Sequence, residues 1–136
     1  MKEVPHYFKW DQYLINGKIE KWQGAFEQVY SPMGTANEKG EVDKVHLGEA
    51  PLLDTDTGLK ALSAAQEAYK NGRGAWPTAN AEERVAAMEH FLTLMEAQRE
   101  KVSNLLMWEI AKNKSAAFKE FDRTVDYIRD TIEEYK

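Results

Sequence analysis

The sequence predicts an α+β fold, mostly helical, in which an N-terminal β-hairpin and short strands are followed by about four helices. Three observations carry this expectation. Asn16-Gly17 sits between two β-compatible arms, apolar residues recur at helical spacing through the second half, and capping residues stand where those helical patterns begin.

The hairpin is expected in YLINGKIEKW, Tyr13 to Trp22, because Asn-Gly takes the positive φ values of a tight two-residue turn. A third strand is expected in AFEQVYSP, with Phe26, Gln28 and Tyr30 on one side and Glu27 and Val29 on the other, ending at Pro32. DKVHL, Asp43 to Leu47, suggests a fourth. The intervening SPMGTANEKGE reads as a turn, since no strand-to-helix switch brackets it as a phosphate loop requires.

Four helical patterns follow. In LLDTDTGLKALSAAQEAYKNG, Leu59, Leu62, Ala65 and Tyr69 share a face, Asp54 to Thr57 offer capping oxygens, and Gly72 suits a left-handed stop. Asn80 and Glu83 form a capping box for a second helix with Val85, Met88, Leu92 and Met95 inside, and Pro77 is expected to keep the chain extended before it. A third, in EKVSNLLMWEIAKN, has a Val102, Leu105, Leu106 stripe, with Met107, Trp108 and Ile110 carrying apolar surface to other faces. The fourth starts near Ser115 and buries Phe118, Phe121, Val125, Ile128 and Ile132. At about 100° per residue, Arg123 projects roughly opposite Phe121 and Val125.

A chain of 136 residues is the length of one ordinary domain, with strands expected in residues 1–50 and helices in 51–136. The net charge of -5 and the lack of a basic run make nucleic acid and anionic membrane poor partners. MKEVPHYFKW lacks the apolar core of a secretory signal, and the longest apolar run, LLMW, cannot span a bilayer, so a soluble cytoplasmic protein is expected. With no cysteine, the chain has no disulfide, no thiolate metal ligand and no thiol nucleophile.

His6, His46 and His90 are scattered, and only His46 with Glu49 is locally suggestive of metal, so no metal site is expected. No dinucleotide fingerprint, P-loop or nucleophile elbow occurs. NGRG, Asn71 to Gly74, is explained by a helix stop and a turn. Trp10, Trp22, Trp76 and Trp108 are expected in core and hinge packing. The residues by themselves leave open a free-standing helical interaction module, and they identify no catalytic, cofactor-binding or metal-ligating side chain.

Four stretches read together, LINGKIEKW, VYSPMG, AQEAYKNGRGAWPTANAEER and LLMWEIAKNKSAAFKEFDRTVDYI, resemble the N-terminal region of aldehyde dehydrogenases. GRGAWPT, LLMWEIAK and EFDRT are most similar to the non-phosphorylating, NADP-dependent glyceraldehyde-3-phosphate dehydrogenase branch. Two departures stand out: Ser31-Pro32 replaces the usual Asn-Pro, and Ala111 replaces the usual glycine at a helix end.

The resemblance implies a partial domain, with residues 51–136 forming a helical layer of the cofactor-binding domain. It implies a parent enzyme in which a thiolate attacks an aldehyde, hydride passes to NADP and water releases the acid. The catalytic cysteine, general-base glutamate, oxyanion-hole asparagine and nucleotide-binding units lie past the region this chain resembles. The chain is therefore expected to be an inactive fragment lacking the Rossmann-type and catalytic domains. Its expected partners are the parent's remaining domains, an aldehyde substrate and, in the full-length protein, further copies. Arg123-Thr124 matches the family motif whose arginine holds the substrate phosphate in the glyceraldehyde-3-phosphate branch.

Overall fold

The structure, a computed structural model, describes residues 8–136. Strands β1 (Phe8–Lys9), β2 (Gln12–Ile15), β3 (Lys18–Lys21), β4 (Phe26–Ala36) and β5 (Val42–Pro51) precede helices α1 (Thr55–Tyr69), α2 (Ala75–Thr78), α3 (Ala81–Glu96), α4 (Arg99–Glu109) and α5 (Lys114–Tyr135). The mostly helical α+β fold is thus as expected, with α2 a single added turn. The chain divides into two compact units: a hairpin unit of residues 8–29 and Gly48–Ala79, and a helical unit of Tyr30–Leu47 and Asn80–Lys136. In the sheets, β5 lies between β1 and β4, while β2 pairs only with β3.

In the hairpin unit, β2 and β3 are antiparallel with Ile15 opposite Lys18, and the turn between them holds Asn16 at φ 52° and Gly17 at φ 71°. This is the conformation the Asn-Gly pair was expected to take. The Tyr13 hydroxyl donates to Glu20 at 3.0 Å across the strands, and Trp22 packs edge-on against Tyr13 with centroids 6.0 Å apart. Strand β1, which has no sequence signal, runs parallel to β5 with Phe8 opposite Gly48. A Cβ at Gly48 would collide with the Phe8 carbonyl oxygen, so the close approach depends on glycine.

Helix α1 begins where Asp54 accepts the Thr57 N–H at 2.8 Å and ends at Lys70, itself left-handed at φ 50°, two residues before the expected Gly72 stop. The apolar residues that share a face of this helix are left exposed. Leu59 and Leu62 are each 56% exposed and Tyr69 is 59% exposed, and Thr57 is the buried residue of the helix. Periodicity records which face is apolar; it does not guarantee a neighbour to cover that face. Pro77 also departs from expectation by lying inside α2. A first helical turn tolerates proline because its N–H groups have no intrahelical acceptor.

In the helical unit, β4 continues through Pro32 to Ala36 instead of stopping there. It is an edge strand, where a residue without an N–H can be accommodated. The turn shrinks to Asn37–Glu41, held by the Asn37 side chain, whose oxygen accepts the Lys39 and Glu41 N–H groups at 3.0 Å each. The fourth strand is correspondingly longer than the expected Asp43–Leu47.

Asn80 caps α3 through the reciprocal bonds with Glu83 that the capping box requires, at 2.8 and 2.9 Å. The core is Leu92 of α3 with Phe121 and Val125 of α5, and Met95 and Ile128 pack against it. The α5 stripe and the α3 inner face are therefore as read from spacing. In α4 the buried face is Ser103, Met107 and Trp108, while Val102 is 36% exposed. That helix is apolar on several sides, so spacing could not select which side faces inward. Of the tryptophans, Trp108 is in the core, whereas Trp10 and Trp76 are exposed, contrary to the packing expected of them.

Candidate functional site

The solvent face of α5 presents Arg123. The helix is positioned at its start by Asn113, whose side chain accepts the Ala116 N–H at 2.9 Å, and along its length by burial of Ala117, Phe121, Val125 and Ile132. Since Phe121 and Val125 point inward, Arg123 between them points out, and it is exposed as the angular count requires.

The neighbouring charges are committed elsewhere. Asp122 receives both ends of the Arg99 fork, Nε to Oδ1 and Nη2 to Oδ2, each at 2.6 Å. Lys112 is paired with Glu120, and Arg129 with Glu96 and with Asp126. Arg123 has no hydrogen-bond or ion-pair partner among the described residues. A guanidinium remains charged at any working pH and presents a planar fork suited to a phosphate or carboxylate.

The Arg99–Asp122 clamp had no sequence signal, because its members are 23 positions apart on different helices. Arg99 also lies over the Phe118 ring, 4.6 Å from its centroid, which ties α4 to the first half of α5. Hydrogen bonds from Arg99, then its charge, hold the Asp122 carboxyl below the usual carboxylate range, and the same bonds raise Arg99. At the far end of α5, Lys136 is raised by its 2.8 Å contact with Glu89.

Beside Arg123, Thr124 borders an apolar groove of about 390 Å³ between α3 and α5, floored by Val85, Met88, Ile128 and Ile132. The Thr124 hydroxyl donates to the Glu120 carbonyl at 2.9 Å and so is used within the helix. Elsewhere, His46 stacks on Tyr30 with centroids 4.8 Å apart, His90 is exposed, and His6 lies outside the described residues. Among the described residues there is no group of three or more metal-ligating side chains, and no helix is long and apolar enough to cross a membrane.

The Aldehyde dehydrogenase family model matches residues 34–136, most of the chain. The chain belongs to the aldehyde dehydrogenase family. The match begins inside β4, after the hairpin. Among solved structures, the chain is similar to the NADP-dependent glyceraldehyde-3-phosphate dehydrogenase of Bacillus halodurans C-125, crystallised with NADP. That similarity has 29% identity, a TM-score of 0.72, and covers 93% of this chain and 24% of the other. It shares its fold with the NAD-dependent aldehyde dehydrogenase of Sinorhizobium meliloti, at 23% identity and a TM-score of 0.77, covering 96% of this chain and 24% of that one. The chain thus spans about a quarter of the length of either. A search of curated proteins gave no match.

Both departures from the aldehyde dehydrogenase pattern have structural consequences. Ser31, almost wholly buried, donates to the Trp108 carbonyl and accepts the Met33 N–H at 3.0 Å, so the hydroxyl bridges β4 to the end of α4. Ala111 sits just past α4 at φ 54°, a left-handed position where a Cβ is disfavoured and glycine is not.

Proposed function

We propose that this chain is the N-terminal portion of an aldehyde dehydrogenase that oxidises glyceraldehyde 3-phosphate, or a related phosphorylated aldehyde, with NADP, and that Arg123 holds the substrate phosphate. The observation that carries the assignment of Arg123 is its exposed guanidinium, free of carboxylates, on a helix whose nearby acids are paired with other cations. Likeness to the Bacillus halodurans enzyme supports the substrate class and the cofactor.

The chain does not perform the reaction by itself in this reading. With no cysteine it has no thiol to attack the aldehyde carbon. Nor does the junction where a strand leads into a helix offer a phosphate site. Among the described residues the one strand-to-helix junction, between β5 and α1, is closed by Asp54, whose carboxyl is held below its usual range, chiefly by the Thr57 hydrogen bond. That places a negative charge where a phosphate would need donors. NADP would bind to other parts of the parent, and the aldehyde pocket would be completed by the same parts. Copies of the parent associating with one another, and a cytoplasmic location, belong to this reading as well.

The test uses the full-length protein that carries this sequence. Arg123→Ala should lower kcat/KM for glyceraldehyde 3-phosphate through KM by about 10- to 150-fold, the equivalent of losing one charge-assisted hydrogen bond of ~1.5–3 kcal/mol. Activity on unphosphorylated aldehydes should be unchanged. Equal losses on both substrates would return Arg123 to an ordinary surface residue. The purified 136-residue chain should form no NADPH from either aldehyde.

A further inference from the structure

Two Asn-Gly pairs occur, Asn16-Gly17 and Asn71-Gly72. In such a pair the asparagine side-chain amide is open to attack by the next backbone nitrogen, because glycine has no side chain to obstruct the approach. The local backbones are nearly identical, with both asparagines at φ 52° and the glycines at 71° and 78°. Dipeptide chemistry and local conformation therefore do not separate the two sites.

Their surroundings do. The Asn16 side chain and the Gly17 N–H have no hydrogen-bond partner among the described residues, and a Cβ placed on Gly17 would meet nothing within 4 Å. The pair joins two four-residue strands that bond only to each other, and every residue of β3 is exposed. The ribbon also meets α1 through β2, but its exposed tip carries no further hydrogen bond among the described residues and opens at small free-energy cost. Asn71-Gly72 instead lies in a short left-handed run just past α1, straddled by the bonds from Arg73 N–H to Lys70 at 3.1 Å and from Gly74 N–H to Tyr69 at 3.0 Å. A Cβ at Gly74 would strike the Ala68 carbonyl oxygen, so the turn is pressed against the end of α1. Reaching an attacking geometry there requires breaking these contacts.

We propose that Asn16 is a modification site at which the folded chain deamidates selectively, in preference to Asn71. The Gly17 nitrogen, having lost its proton to base, bonds to the Asn16 side-chain carbonyl carbon and ammonia leaves, closing a succinimide. Water opens that ring at either carbonyl to give aspartate or isoaspartate at position 16. Both products add one negative charge. Isoaspartate also lengthens the backbone by one methylene, so the two-residue turn no longer matches the Ile15 to Lys18 register and the hairpin separates.

The experiment incubates the 136-residue chain at mildly alkaline pH, native and in urea, and follows both Asn-Gly peptides by mass mapping with isoaspartate detection. Asn16 should convert several-fold faster than Asn71 in the native protein, and the two should convert at comparable rates in urea. Equal native rates, or faster conversion of Asn71, would overturn the proposal. So would a native Asn16 peptide that stays intact while its urea counterpart converts. Gly17→Ala should suppress conversion at Asn16 in both conditions, and persistence in that variant would show that the ring-closing route is wrong.

Discussion

Helices α1 and α5 carry the same sequence signal and meet different fates. Both have an apolar stripe at steps of three and four. In the helical unit the α5 stripe is covered, with Phe121 3% and Val125 4% exposed, whereas in the hairpin unit the α1 stripe faces outward. An amphipathic pattern states a preference for burial; the neighbours that satisfy it must come from elsewhere in the fold. Leu52, Leu53, Leu59 and Leu62 together leave a substantial apolar surface around α1.

The contrast can be broken most directly by truncating one residue from each stripe. Phe121→Ala should destabilise the chain by ~3–5 kcal/mol in urea unfolding, because it empties the core against Leu92 and Val125. Leu59→Ala should change stability by less than about 0.5 kcal/mol, as expected for an exposed position with better helix propensity. Similar costs at both sites would mean that the α1 face is covered in solution.

Smaller changes sharpen the account of the helical unit. Ser31→Ala removes the bridge to the Trp108 carbonyl and leaves a buried acceptor and the Met33 N–H without it, which should cost ~1–3 kcal/mol. Ala111→Gly should stabilise by about 1 kcal/mol through relief at the left-handed position, offset in part by the freedom glycine adds to the unfolded chain.

The Arg99–Asp122 clamp should appear as a pH effect. The Asp122 carboxyl is lowered in the folded state, so its contribution is complete above the unfolded carboxylate pKa. It is lost as pH falls through the lowered folded value. Asp122→Asn should flatten the acid limb of the stability profile and leave other titrations in place. An unchanged acid limb would show that the clamp is not formed in solution.

Much of the fold was legible where the deciding interactions are close in sequence. The Asn16-Gly17 turn, the Asp54 and Asn80 caps and the inner faces of α3 and α5 could all be read directly, since each depends on residues within a turn or two. The outward direction of Arg123 belongs to the same class. Strand β1 was missed because two residues carry no pattern, and the end of β4 because Pro32 was judged without knowing that its strand lies at an edge.

By itself the sequence determined the local elements, the family resemblance and the absence of any cysteine. Only the tertiary structure decided that Ser31 meets Trp108 across 77 positions, that Arg99 takes Asp122 and leaves Arg123 without an acid, and that the stripe of α1 stays uncovered. The physical reason is that turns and caps are stabilised by neighbours the chain cannot avoid. Contacts between distant residues exist only after loop closure has been offset by packing, and periodicity records neither the closure nor the partner.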